Sequence, residues 1–272
     1  MVGGAWVYRP KRTRCDIIFD VCLYFLMVIL LVIFLYPIWD TIVVSLSSPK
    51  FVKKLGFRLL PDDFTLASYK EVFKDDIIAI GYMNTLIRVI IGTTLTVLIT
   101  YCGGYALTKK SLPFRRTILL FILFTMFFSG GLIPSYLLMK KLGLIGSRWA
   151  LILPMTTSAW NLIIARNFIK TIPESLEESA FIDGAHPLIV VFRIMMPLSM
   201  PIIAVLALWS AVGHWNSWFD ALIYVRSRDK MVLQLVLRKI LIDQDEELMK
   251  GGALVFMQDD TSPETVKAAT II

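Results

Sequence analysis

The sequence carries few of the residues that chemistry needs. Its three cysteines, Cys15, Cys22 and Cys102, fall at or within apolar segments and form no CxxC pair, so neither a disulfide framework nor a zinc site is suggested. The only histidines are His186, in a polar stretch, and His214, in an apolar one, and no multi-histidine metal site can be built from this chain alone. There is no GxxxxGK[ST] phosphate loop, no GxSxG and no HExxH, which removes the P-loop, serine-hydrolase and zinc-protease classes together. No inverted internal repeat is visible, which weighs against a secondary transporter. A cleavable signal peptide is also missing. The basic N-terminus leads into an apolar run far longer than the about 7–15 residues of such a signal, without a small-residue cleavage site, and reads as a retained span.

What the chain has is apolar length. Of its 272 residues 57% are hydrophobic and the mean hydropathy is +0.70, against roughly 45–50% apolar residues in globular chains. The class is all-α, a polytopic membrane helix bundle. A formal charge of +7 and a pI near 9.3 would point a soluble domain toward nucleic acid, but here the basic residues cluster beside apolar runs and serve as membrane-flanking anchors. Windows of about 20 apolar residues give spans over Ile17–Val44, Tyr82–Leu107, Thr117–Met139, Trp149–Ile169 and Pro197–Val225. Pro37 and Asp40 interrupt the first near its end. Gly103-Gly104 in the second permits close helix contact, and Ser129-Gly130-Gly131 breaks the third. A polar connection with a short helix near Leu66–Phe73 follows the first span. A sixth span opens at about Thr265, so the sequence is expected to continue beyond Ile272.

The Lys/Arg bias sets the orientation. Arg9, Lys11, Arg12 and Arg14 before the first span, and Lys109, Lys110, Arg115 and Arg116 between the second and third, put the N-terminus and the second connection in the cytoplasm. Lys140, Lys141 and Arg148 run against the bias. With this orientation the polar insertion from Thr171 lies inside too. Thr171 and Glu174 are spaced as a capping box, Pro173 falls in the first turn, and Glu174, Glu177 and Glu178 suit the positive end of a helix. About twelve residues on, near 18 Å at 1.5 Å per residue, Gly184 can end that helix in the left-handed conformation, and Pro187 starts the next. Leu176, Ala180 and Asp183/Gly184 form a narrow face of small residues, open to close approach by another protein.

Glu178-Ser179-Ala180, then Asp183-Gly184-Ala185, then Ile194-x-Met196-Pro197 resemble the Glu-Ala-Ala…Gly…Ile-x-Leu-Pro loop of binding-protein-dependent ABC importer permeases. Ser179 and Met196 depart from the usual alanine and leucine, and His186-Pro187 stiffens the turn after the glycine. The stretches FSGGLIPSYLLMKKLGLIGSRWALILP, WNLIIARNFI and VGHWNSWFDALIYV are similar to carbohydrate-uptake permeases of the maltose type, nearest the branch beside polysaccharide-utilisation genes of Gram-positive bacteria. The likeness runs along the whole chain. It implies a single type I permease domain over residues 1–272, six spans with both ends inside, a coupling loop over 171–196 and an extracytoplasmic loop over 226–264. It also implies a second permease subunit, two cytoplasmic ATPases that bind the ATP, a sugar-binding protein outside, and no cofactor in this subunit. ATPase coupling would fall to Glu178, Ser179, Ala180, Asp183, Gly184 and Pro197. A secondary transporter or channel for a small polar solute, and a catalytically silent scaffold, are the competing classes.

For the cargo path the residues themselves offer Trp215, Asn216, Phe219 and Asp220 in the fifth span, with Asn161 in the fourth. Aromatic faces stack on sugar rings, and amide and carboxylate groups exchange hydrogen bonds with hydroxyls. Trp215 and Phe219 lie four apart, with Asn216 and Asp220 on the adjoining stripe, so one helical side would present all four. Trp218 and Tyr224 read better as interfacial anchors. Asp220 within a span implies an interior or watery setting, while Arg88, near the outer end of its span, admits simple snorkelling. For Leu233, Val236, Leu237, Ile240 and Leu241 two roles stay open, docking of the sugar-binding protein or a cover over the bundle.

Overall fold

The structure is a computed structural model, and it describes residues 13–48, 59–61, 63–74, 76–249 and 262–272. The basic residues Arg9, Lys11 and Arg12, and part of the 226–264 loop, lie outside the described residues. Every described regular element is helical. The chain divides into two compact units, Met1–Lys74 with Asp243–Ile272, and Asp75–Ile242.

In the first unit, helix α1 spans Arg14–Ser45 and begins with a capping box between Thr13 and Asp16. Pro37 lies within it and does not end it, and one turn on the Thr41 hydroxyl donates to the Pro37 carbonyl at 2.8 Å. Most of its side chains are exposed within this chain, as suits a helix solvated by lipid. Only the last turn, Val43, Val44 and Ser45, is buried. There Ser45 Oγ and the Tyr69 hydroxyl are 2.9 Å apart, which ties α1 to the short helix α2, Ala67–Val72.

The second unit is built on α3, Ile77–Ala106, whose 30 residues reach about 45 Å at 1.5 Å per residue, enough to cross a ~30 Å core with a tilt. Two bent pairs belong to the same unit. Helices α4, Arg115–Phe127, and α5, Leu132–Lys141, meet at 118° across the Ser129-Gly130-Gly131 break expected from sequence. Next comes α6, Trp149–Ile152, a 3-10 turn over Leu153–Met155, and then α7, Ala159–Ile169, capped by Ser158. The fourth predicted span is therefore two pieces, since Pro154 removes a donor and Ser158 captures the Asn161 N–H to restart the helix.

Helix α8, Glu174–Ile182, follows, then α9, Pro187–Leu198, which widens to a π turn over Val190–Met195. It bends by 82° into α10, Met200–Asn216. A further piece, α11, covers Phe219–Tyr224, so the fifth predicted span is also broken, at Ser217-Trp218. On length and composition two described helices can cross a membrane, α1 and α3, and four if each bent pair counts as one span. Helix α12 spans Leu233–Met249 and α13 spans Pro263–Ile271, capped by Ser262 with Thr265.

The core of the second unit lies where α10 and α7 cross α3. Small residues set the distance: a Cβ on Gly104 would sit 3.2 Å from the Cβ of Ala165, the close approach expected for Gly103-Gly104. Val97, Ala165, Ile202 and Leu206 fill the middle, and Tyr101, Ile169, Ala180, Val190, Val191 and Met195 close the end beneath α8.

Candidate functional site

The polar insertion folds as a helix, a glycine turn and a second helix. Gly184 takes φ +78°, open to glycine at no steric cost, and its turn is closed by Ala185 N donating to the Ala180 carbonyl at 2.9 Å. The predicted capping box is not formed. Pro173 is the N-cap residue, and the Thr171 hydroxyl donates to the Phe168 carbonyl at 2.7 Å, finishing α7 instead of starting α8. Backbone geometry decides this, because a hydroxyl two residues before the N-cap is too far back to reach the first free N–H.

Helix α8 is fastened to the end of α3. Glu177 accepts from the Tyr105 hydroxyl at 2.6 Å and is ion-paired with Lys109, while Glu174 pairs with Lys110 at 3.1 Å. Lys109 also lies 4.0 Å from the centre of the Tyr105 ring. The first pair is largely shielded, and the second is exposed on both sides. A cavity of about 530 Å³ opens beside them, lined by Lys109, Lys110, Arg115, Lys170, Glu174 and Glu178 among others. Ala180 is 8% exposed and turns toward its own chain, seating α8 on Ile169 and Val190, whereas Leu176, Asp183 and Gly184 of the same expected face stay exposed. The outward edge is apolar: Leu176, Phe181, Ile182 at 85% exposure and Leu188. Glu178, Ser179, Asp183, Gly184 and Pro197 are exposed as well. Among the expected coupling residues, Glu178 to Gly184 share one short element, and Pro197 lies apart at the bend into α10.

A second polar cluster lies inside the bundle. Arg88 on α3 is 2% exposed. It does not snorkel: its guanidinium pairs with Asp220 and donates to the Ser217 carbonyl at 3.1 Å. Asp220 also accepts from Ser217 Oγ at 2.8 Å and Ala221 N at 2.9 Å. One turn along α3 from Arg88, Gly92 faces the buried ring of His214. Farther toward the start of α3, Asn84 donates to the carbonyls of Asp229 at 2.8 Å and Met231 at 2.9 Å, and accepts from Arg148. Thr85 accepts from Leu233 N.

The four path candidates of the fifth span do not form one helical stripe, because the helix stops at Asn216 and the Ser217 backbone is extended. Trp215 meets Tyr82 edge to face at 6.1 Å. Asn216 is exposed, its amide bonded to the Val212 carbonyl, and Phe219 is half-exposed. Asn161 is half-buried at the start of α7, away from the Arg88 cluster. Of the expected anchors, Trp218 lies under the Arg238 guanidinium at 3.6 Å. Tyr224 is buried and stacked on Tyr136. Val232, Leu233, Leu235 and Val236 are buried, so the start of α12 covers the bundle. Sequence reasoning missed the partners, Lys109 for Glu177 and Arg88 for Asp220. Opposite charges inside apolar segments were the available signal.

These features define a membrane-embedded helical bundle with a short, exposed amphipathic loop held on one end, the build of a transport permease. No family model matches the chain. It is 37% identical over 256 residues to the polygalacturonan/rhamnogalacturonan transport system permease protein YtcP of Bacillus subtilis (strain 168), covering 94% of this chain and 89% of that protein. It is also 37% identical to protein LplC of the same organism over 269 residues, covering 98% and 90%. A bacterial ABC transporter involved in the import of the acidic polysaccharide alginate has a chain of the same fold, with a TM-score of 0.89 and 32% identity over 97% of this chain and 93% of that one. The chain belongs to the permease subunits of sugar-importing ABC transporters. It is a membrane protein whose relatives are permeases and not enzymes, and such a subunit works with an ATPase and a binding protein.

Proposed function

We propose that this chain forms half of the path by which an ATP-driven, binding-protein-dependent importer takes up acidic oligosaccharides, with its N-terminus in the cytoplasm. The observation that carries the reading is α8 with its Gly184 turn. It is a short helix pinned to the bundle by Glu177 through Tyr105 and Lys109, and it leaves Phe181, Ile182 and Leu188 exposed for a partner. A rigid apolar knob on a charged base suits a groove in an ATPase subunit, and closure of that groove would move α3 and α9 together. Coupling is assigned to Glu178, Ser179, Asp183 and Gly184 at the contact, with Ala180 seating the helix and Pro197 at the bend into α10. The complex comprises this subunit, a second permease, two ATPases that bind the ATP, and an extracytoplasmic sugar-binding protein.

The acidic nature of the cargo is supported by what the relatives carry, polygalacturonan or rhamnogalacturonan in one and alginate in the other. Within this subunit the path is assigned to Trp215, Asn216, Phe219 and Asp220, and to Asn161 on α7. The experiment is Gly184→Val in the reconstituted importer. A β-branched residue at φ +78° is strained, at a cost of about 1–3 kcal/mol, and the turn that presents the knob is lost. Sugar-stimulated ATPase activity should fall while the chain still inserts at normal levels. Wild-type stimulation would overturn the coupling assignment.

A further inference from the structure

Between Asn216 and Phe219 the chain leaves the helix for two residues, and the freed backbone groups of such a break need partners inside a membrane protein. Arg88 on α3 supplies one for the Ser217 carbonyl. Its Nη1 donates to the Ser217 carbonyl at 3.1 Å and to Asp220 Oδ1 at 3.4 Å, and its Nη2 pairs with Asp220 Oδ2 and lies 3.1 Å from Met155 Sδ. Asp220 is held from its own side by Ser217 Oγ and Ala221 N. A planar guanidinium bound by two carboxylate oxygens and a carbonyl fixes the orientation of everything attached to them. What is attached is the aromatic segment itself, Trp215 and Asn216 before the break and Trp218 and Phe219 after it.

We propose that Arg88 is a positioning residue for the sugar path: through Asp220 and the Ser217 carbonyl it sets the break that aims Phe219 and its neighbours, without touching cargo. The inference rests on the assignment of this segment to the path. It asks for the fork of an arginine and not for a positive charge, since a lysine ammonium is a point charge that cannot hold the carboxylate and the carbonyl in one plane.

The test uses the complete importer in proteoliposomes, with Cys15, Cys22 and Cys102 replaced by serine and Phe219→Cys as a reporter. Phe219 is half-exposed, so its replacement can be modified by a membrane-impermeant methanethiosulfonate. Asp220→Asn, nearly isosteric, and Arg88→Lys should each change the modification rate by at least about tenfold, the size of one lost charge-assisted hydrogen bond. Asp220→Glu, which keeps the carboxylate, should restore the rate at least in part. With Phe219 intact, the same two variants should lower maximal uptake of a labelled oligogalacturonide, while the half-saturating concentration, set by the sugar-binding protein, stays within about twofold. Unchanged modification in Arg88→Lys and Asp220→Asn overturns the proposal. Lost uptake with unchanged modification overturns it too, and makes the pair a direct cargo contact. If the wild-type complex moves no oligosaccharide while modification responds as stated, the positioning role stands and the sugar-path assignment falls.

Discussion

Gly92 faces the ring of His214 so closely that an added Cβ would lie 2.4 Å from Nε2, well inside any real contact. The ring is 1% exposed and cannot swing aside into open space. Gly92→Ala should therefore destabilise the α3/α10 crossing by about 1–3 kcal/mol, the usual cost of overpacking. Thermal unfolding of the purified complex measures it. Adding His214→Ala should recover part of the loss, and strictly additive effects would mean that the two residues do not meet. The two ion pairs on α8 differ at the same scale. Lys109–Glu177 is mostly shielded and shared with Tyr105, whereas Lys110 and Glu174 are 80% and 71% exposed. Glu174→Ala should cost less than about 1 kcal/mol, the median for surface pairs. Glu177→Ala removes hydrogen bonds to a charged group, worth about 1.5–3 kcal/mol in net terms. Sugar-stimulated ATPase activity should fall clearly in the second variant and little in the first.

Among the elements, α8 depends on α3 more than on itself. Nine residues make a helix too short to stand alone in water, and its N-cap Pro173 offers no side-chain bond. Tyr105, Lys109 and the buried seat of Ala180 hold it instead. Ala180→Leu should lift the helix from Tyr101 and Val190 and weaken coupling, read as a lower sugar-stimulated ATPase rate in assembled complex. Leu at the exposed Ser179 should not disturb the seat. The break between α10 and α11 is the other element that sequence periodicity cannot supply. A run of 29 residues from Pro197 to Val225 reads as one apolar span, yet the chain stops being helical where Arg88 competes for its carbonyl.

At the level of the whole molecule the exposed apolar surface is very large. Most of α1, and most side chains of α4, are unburied within this chain, which is what lipid and neighbouring subunits require. For transport, Asn216→Ala and Phe219→Ala should each lower oligosaccharide uptake by about tenfold or more in complexes that assemble with the ATPase, the loss expected for one hydrogen bond or one stacked face. Trp218→Ala should act mainly on stability, through its stacking with Arg238. If Trp218→Ala alone abolishes uptake, the path lies on the other side of the break.

Much was determined by the sequence itself. Apolar length made this a membrane bundle, the Ser129-Gly130-Gly131 run marked a bend, Gly103-Gly104 marked a close crossing, and Gly184 marked the end of α8, because glycine and apolar runs act through local sterics and solvation that need no partner. Only the tertiary structure decided that Thr171 closes α7 instead of capping α8, that Ala180 faces inward, and that Arg88 is locked to Asp220 instead of reaching the membrane surface. Those outcomes join residues up to 132 positions apart, and a buried charge takes whichever opposite charge the packing of α3 against α10 and α11 brings within reach.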